Sequence, residues 1–181
     1  FHLYFIDFLF TEICNYFDVI IYNFKLEKNL EKKSFIKKIS IFPVSTSVIR
    51  SLPNSIIQTI IDNFSETHQI EIFLDDSDYS KHLKEKNNQN NISIKTPRDI
   101  SNLVNEISNI TFGIFIDSGP LHVAKIFDKP GVLVETSVCS KKLLSNSKNI
   151  NVIKNKYKSK YCSGPCGLVD IFSFDKSIGC F

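Results

Sequence analysis

A chain of 181 residues can bury about 70% of its unfolded surface, enough for one domain with a substantial core. Hydrophobic residues at 43% and charged residues at 23% exclude a disordered or fibrous chain. The net charge of +3 is too small to indicate nucleic-acid binding, so no nucleic acid is expected as a partner.

The opening "FHLYFIDFLFTEICNYF" is apolar, but Asp7, Glu12 and Asp18 interrupt it before the ~20 residues of a spanning helix are reached. Its Leu3, Ile6, Phe10, Ile13 and Phe17 spacing predicts a packed helix. Residues 23–37 are charged and read as a linker with some helix. Residues 1–37 are therefore expected to be the remnant of an N-terminal domain with its linker, and 38–181 a second domain with a Cys-containing tail. The lack of any Met, position 1 included, is expected of a fragment.

From residue 38, short apolar runs alternate with helix-period segments. "KISIF" reads as a strand ending at Pro43, and Ile56, Ile57, Ile60, Ile61 and Phe64 of segment 54–64 share one helical face. "QIEIFL" (69–74) is the next strand, followed by a polar stretch whose first half reads as helix, and then by the short strand 92–94. "TPRD" predicts a helix start with Thr96 as N-cap and Pro97 in the first helical position. Residues 112–116 read as a strand, 120–127 as a helix and 131–135 as another strand. This alternation predicts an α/β domain: a doubly wound, Rossmann-like parallel sheet with helices on both faces.

In such sheets ligands bind beyond the carboxyl ends of the strands. "FGIFIDSGPLHVAKIF" places Asp117 at one such end, with Ser118, Gly119 and Pro120 opening a helix whose free amides suit an anion. The plainer alternative makes Ser118 a helix cap and Asp117 a partner of loop amides. His122, four residues after Ser118, either faces the same site or packs under the loop. A second loop, "FPVSTSVIRSLP", offers the hydroxyls of Ser45, Thr46 and Ser47 and the permanent charge of Arg50. Both loops predict a phosphate-binding site.

These two segments resemble those of glycosyltransferase family 9, the ADP-heptose:lipopolysaccharide heptosyltransferase-like proteins. "FGIFIDSGPLHVAKIFDKPGVLV" is similar to that family's strand, Asp-Ser/Thr-Gly and Lys-Pro signature, and the resemblance covers about residues 38–154. It implies the C-terminal half of a GT-B enzyme that transfers a heptose or similar sugar from a nucleotide-diphosphate sugar to a cell-surface glycan or lipopolysaccharide-type acceptor. The implied donor-binding residues are Ser118, Gly119 and Arg50, with Asp76 or Asp78 of "LDDSD" at the nucleoside ribose. The resemblance further implies an inverting, metal-independent transferase without cofactor. Its catalytic base would belong to the N-terminal domain, so this chain alone would bind donor without turnover. An odd number of cysteines without a secretory signal predicts a reducing, cytoplasmic compartment. The alternating Lys154, Lys156, Lys158 and Lys160 read as a solvated strand or as a membrane- or acceptor-facing surface, the membrane in question being the inner face of the cytoplasmic membrane. Four departures stand out: Val44 for the loop's usual Gly, Arg50 for Lys, Leu52 for Trp, and Glu135 near a usual Gly. A non-catalytic sugar-nucleotide-binding or assembly module is the alternative they permit.

Cys14 and Cys139 read as buried thiols. Cys162, Cys166 and Cys180 share the tail, where a metal, a disulfide and plain packing stay open.

Overall fold

The computed structural model describes residues 38–87, 92–144, 147–154 and 164–167. The expected helix at residues 1–17, the linker, Cys14, Cys162 and Cys180 lie outside the described residues. The strands are β1 (Lys38–Phe42), β2 (Gln69–Phe73), β3 (Ile92–Lys95), β4 (Gly113–Phe115), β5 (Gly131–Val134) and β6 (Ile150–Ile153). The helices are α1 (Asn54–Phe64), α2 (Asp78–Lys86), α3 (Ile100–Ser108), α4 (Gly119–Ile126) and the short α5 (Ser140–Leu143). A 3-10 turn, Val48–Arg50, lies between β1 and α1.

All five strand pairings are parallel, and the order across the sheet is β3-β2-β1-β4-β5-β6. From β1 in the middle, the described chain thus builds outward to β3 and returns to the centre at β4. The reversal point lies between β1 and β4, where the connections leaving the two strands diverge and leave a crevice.

Side-chain alternation along the strands sorts the core into two layers. Ile39 and Ile41 of β1 and Ile70 and Ile72 of β2 face α1 and Leu83 of α2. Five α1 side chains, Ile56, Ile57, Ile60, Ile61 and Phe64, are buried there, each stabilising the fold by about 1.5–3 kcal/mol before ordering entropy is subtracted. The opposite layer joins Phe42, Phe73, Phe115 and Leu133 to Ile107 of α3, Leu121 and Ala124 of α4, and Leu143 of α5. Helices therefore cover both faces, as the alternating pattern predicts.

Phe42 stacks on Phe73 at 4.5 Å and on Phe115 at 5.2 Å between ring centroids, so one aromatic row crosses β2, β1 and β4. Room for the Phe115 ring comes from two glycines paired across β4 and β5. A Cβ on Gly113 would lie 2.1 Å from Phe115 Cζ, and one on Gly131 would lie 2.8 Å from Phe115 Cε2.

The expected helix start at Thr96 and Pro97 is corrected. The N-cap is Asp99, whose carboxylate accepts the Asn102 N–H at 2.7 Å, and the helix opens at Ile100. A carboxylate at that position satisfies a first-turn amide, whereas Thr96 and Pro97 stay in the extended approach from β3. Glu135, a departure within the resemblance, is buried past the end of β5, where its Oε2 accepts the Ser140 N–H at 2.7 Å and caps α5. Cys139 is half-buried rather than buried, and Cys166 is exposed. The Gly167 N–H donates to the Ser137 carbonyl at 2.7 Å.

Tyr79 of α2 donates its hydroxyl to the Leu52 carbonyl at 2.5 Å, tying α2 to the loop after β1. Burial pushes the Tyr79 phenol up to about 12. A raised phenol contributes stability below the ordinary tyrosine value near 10 and loses it as pH rises toward the folded value. Tyr79→Phe should cost about 1 kcal/mol at pH 8, and its deficit relative to wild type should shrink above pH 10. Urea unfolding at pH 8 and pH 11 measures both; a deficit independent of pH would contradict the assignment.

Candidate functional site

A cleft of about 530 Å³ opens at the carboxyl edge of the sheet, at the reversal point between β1 and β4. That volume falls within the range of small-molecule sites. Its walls come from the loop after β1, the loop after β2, the approach and first turn of α3, and the turn into α4.

The loop after β1 is internally closed. The Leu52 N–H donates to the Pro43 carbonyl at 2.8 Å, and Ser51 Oγ accepts the Ser45 N–H at 3.0 Å while donating to the Ser47 carbonyl at 3.1 Å. This closure carries Ser45, Thr46 and Arg50 onto the cleft. Ser47 does not line it; that residue is buried, and its hydroxyl has no partner among the described residues.

Asp117, Ser118, Gly119, Pro120 and His122 form the facing wall. Ser118 occupies the N-cap position of α4 by backbone geometry, yet its side chain makes no capping bond. Pro120 stands in the first turn. Pro120 has no N–H and the Leu121 N–H donates to the Ser118 carbonyl at 3.1 Å, so the Gly119 N–H is the first-turn amide of α4 without a described acceptor at the cleft, and the positive end of the helix dipole lies with it. His122 is exposed on the cleft rather than packed beneath it.

The two walls meet in an ion pair. Arg50 Nη1 donates to Asp117 Oδ2 at 2.9 Å, with the two side chains only 14% and 11% exposed. Arg50 Nη2 donates to Thr46 Oγ1 at 3.0 Å, and Ser45 Oγ donates to the Asp117 carbonyl at 3.2 Å. The Asp117 carboxylate therefore serves Arg50 and not the loop amides. Arg50 Nε is buried and has no partner among the described residues, which leaves a donor uncommitted.

Of the acidic residues after β2, Asp75 lines the cleft, while Asp76 and Asp78 do not. Asp78 pairs with Lys81 at 2.9 Å in full solvent. Asp75 Oδ1 accepts the Ser77 N–H at 3.0 Å and the hydroxyls of Ser77 and Ser80, each at 2.5 Å. Partial burial pushes this carboxyl up, but the hydrogen bonds from Ser77 and Ser80 outweigh it and hold Asp75 below the usual carboxylate range. The result is a fixed, ionised acceptor whose second oxygen takes no described hydrogen bond. Between Asp75 and the reversal point, Phe42, Phe73, Leu74, Pro97, Ile100 and Leu103 supply an apolar wall. These residues carry core-type patterns in the sequence, so nothing local distinguishes them from ordinary packing.

Among the described residues no three His, Cys, Asp or Glu side chains converge as metal ligands would, and no helix is long and apolar enough to cross a membrane.

No protein-family model matches the chain, and no curated protein matches it. Solved structures do. The E. coli heptosyltransferase WaaC with ADP superposes with a TM-score of 0.55 at 11% identity, over 65% of this chain and 37% of that one. The same enzyme with ADP-2-deoxy-2-fluoro heptose gives 0.56 at 11% identity, over 69% and 39%. The E. coli ADP-heptose lipopolysaccharide heptosyltransferase II gives 0.54 at 18% identity, over 70% and 41%. This chain spans about two fifths of the length of these structures. Over that span it has the Rossmann-like α/β fold found in heptosyltransferases.

Proposed function

We propose that this chain is the donor-binding part of a glycosyltransferase, with the cleft holding a nucleoside diphosphate sugar. One observation carries the reading. Arg50 and the α4 amino terminus, which belong to different loops, border a single cleft at the reversal point of a parallel sheet. The fold shared with heptosyltransferases solved with ADP and an ADP-heptose analogue supports a diphosphate of that kind.

In this reading the diphosphate lies against the Gly119 N–H at the α4 amino terminus and the free donors of Arg50, and the Ser45, Thr46 and Ser118 hydroxyls add neutral hydrogen bonds. The base lies on the apolar wall, with Asp75 accepting from the ribose hydroxyls in place of Asp76 or Asp78. Sugar transfer develops negative charge on the departing diphosphate, and the helix terminus and Arg50 stabilise that charge. Heptose is the sugar the structural likeness favours. Transfer to a glycan or lipopolysaccharide-type acceptor, with inversion, belongs to the whole enzyme.

Calorimetric titration of ADP and UDP into the 181-residue chain tests the reading; no heat and no thermal shift with either diphosphate would sink it. Asp75→Asn should weaken ADP about tenfold, by loss of a charge-assisted hydrogen bond. It should weaken 2′-deoxy-ADP distinctly less. Equal losses for both nucleotides would remove Asp75 from the ribose.

A further inference from the structure

We propose that the turn at the carboxyl end of α4 docks on an anionic lipid surface. Ile126 is 79% exposed and Phe127 42% exposed, side by side at this turn. Both are large apolar groups presented to solvent. The turn is held in a defined shape: Phe127 N–H donates to the Val123 carbonyl, Asp128 adopts a left-handed φ of 50°, and Lys129 N–H returns to the Ala124 carbonyl. The two side chains therefore sit on a rigid knuckle.

The surroundings of the knuckle are basic. Lys125 Nζ donates to the Leu143 carbonyl, which ties α5, with exposed Lys141 and Lys142, to the helical turn that carries Ile126. On the other flank Asn149 Nδ2 donates to the Asp128 carbonyl at 3.3 Å, bringing exposed Lys148 alongside. Residues 121–149 hold five lysines (Lys125, Lys129, Lys141, Lys142 and Lys148) against Asp128 and the buried Glu135. That difference equals the whole net charge of +3, so the remaining acidic and basic residues of the chain balance.

Apolar tips on a turn flanked by lysines match the interfacial region of a bilayer with anionic headgroups. The tips enter the acyl boundary, and the lysines meet the phosphates. A purely apolar partner would leave the lysines unmatched, and a soluble acidic ligand would leave Ile126 and Phe127 in water. The knuckle lies one helix length, about 12 Å, from the cleft end of α4, so docking here leaves the cleft open.

The test is cosedimentation of the 181-residue chain with vesicles of phosphatidylcholine alone or mixed with phosphatidylglycerol. Binding is expected only to the mixed vesicles and should fall with added salt. Ile126→Asn with Phe127→Ser should reduce the bound fraction about tenfold, and Lys141→Glu with Lys142→Glu should do so as well. Far-UV circular dichroism and the thermal midpoint of each variant should match the wild type. The proposal is overturned by absence of binding, by equal binding to both compositions, or by binding that survives both variants. It is equally overturned by a wild-type dimer in analytical ultracentrifugation that the Ile126 and Phe127 exchanges dissociate, which would assign the knuckle to a second copy.

Discussion

Replacing Arg50 by Ala is expected to weaken nucleoside diphosphate binding roughly 10- to 100-fold, the loss of one charge-assisted contact of about 1.5–3 kcal/mol. The exchange does more than delete the proposed phosphate contact. Asp117, only 11% exposed, loses the cation 2.9 Å away and faces the incoming diphosphate as an unscreened carboxylate. Folding stability should therefore fall too, by about 1–3 kcal/mol, because a poorly hydrated charge is left unpaired. The double variant Arg50→Ala with Asp117→Asn separates the two effects. It should regain most of the stability and only part of the affinity, since the repulsion is gone while the donor remains missing. Calorimetry and urea unfolding on the wild type and both variants measure this. Unchanged nucleotide affinity in a folded Arg50→Ala protein would remove Arg50 from the phosphate site.

Gly131→Ala is expected to cost about 3 kcal/mol of folding stability. The added Cβ would lie 2.3 Å from the Gly113 carbonyl oxygen, a backbone atom fixed in the parallel ladder of β4 and β5. It would also lie 2.8 Å from the Phe115 ring, which is stacked on Phe42 and has no free direction to move. Gly119→Ala is the control. Nothing lies within 4 Å of its Cβ position, so stability should change by no more than about 0.5 kcal/mol. Denaturant unfolding of both variants decides; a Gly131→Ala protein within 1 kcal/mol of wild type would mean that the strands separate there more easily than the packing implies.

The elements legible in the sequence were those with strong periodicity. The α1 boundaries fall at residues 54 and 64 because five apolar side chains at helical spacing leave no other phase. β6 and α5, of four residues each, were not assigned. At the start of α3 the sequence pointed to Thr96 as the cap, and only the three-dimensional reach of the Asp99 carboxylate to the Asn102 N–H shows that the helix starts three residues later. The same limit governs the cleft. The hydroxyl-rich loop and the Asp-Ser-Gly-Pro turn were visible as separate motifs, but the bond between Arg50 and Asp117 joins residues 67 apart and depends on β1 lying beside β4. Asp75, Asp76 and Asp78 look alike in one dimension. The serines at 77 and 80, closing back on Asp75, make it the fixed one.

The central place of β1 also has a bearing on the order in which the chain assembles. Its register with β2 joins Ser40 to Glu71, a separation of 31 residues, whereas its register with β4 joins Ser40 to Gly113, a separation of 73. Closing the longer loop costs about 0.5–1 kcal/mol more chain entropy, and its contacts reward that cost only after closure. The β1-β2-β3 half, with α1 and α2 on it, is thus favoured as the earlier-forming unit. The seam between β1 and β4, across which Arg50 reaches Asp117, is completed when the second half arrives. A ligand seated across that seam clasps the two halves together, so it stabilises the chain against the step that opens first on unfolding.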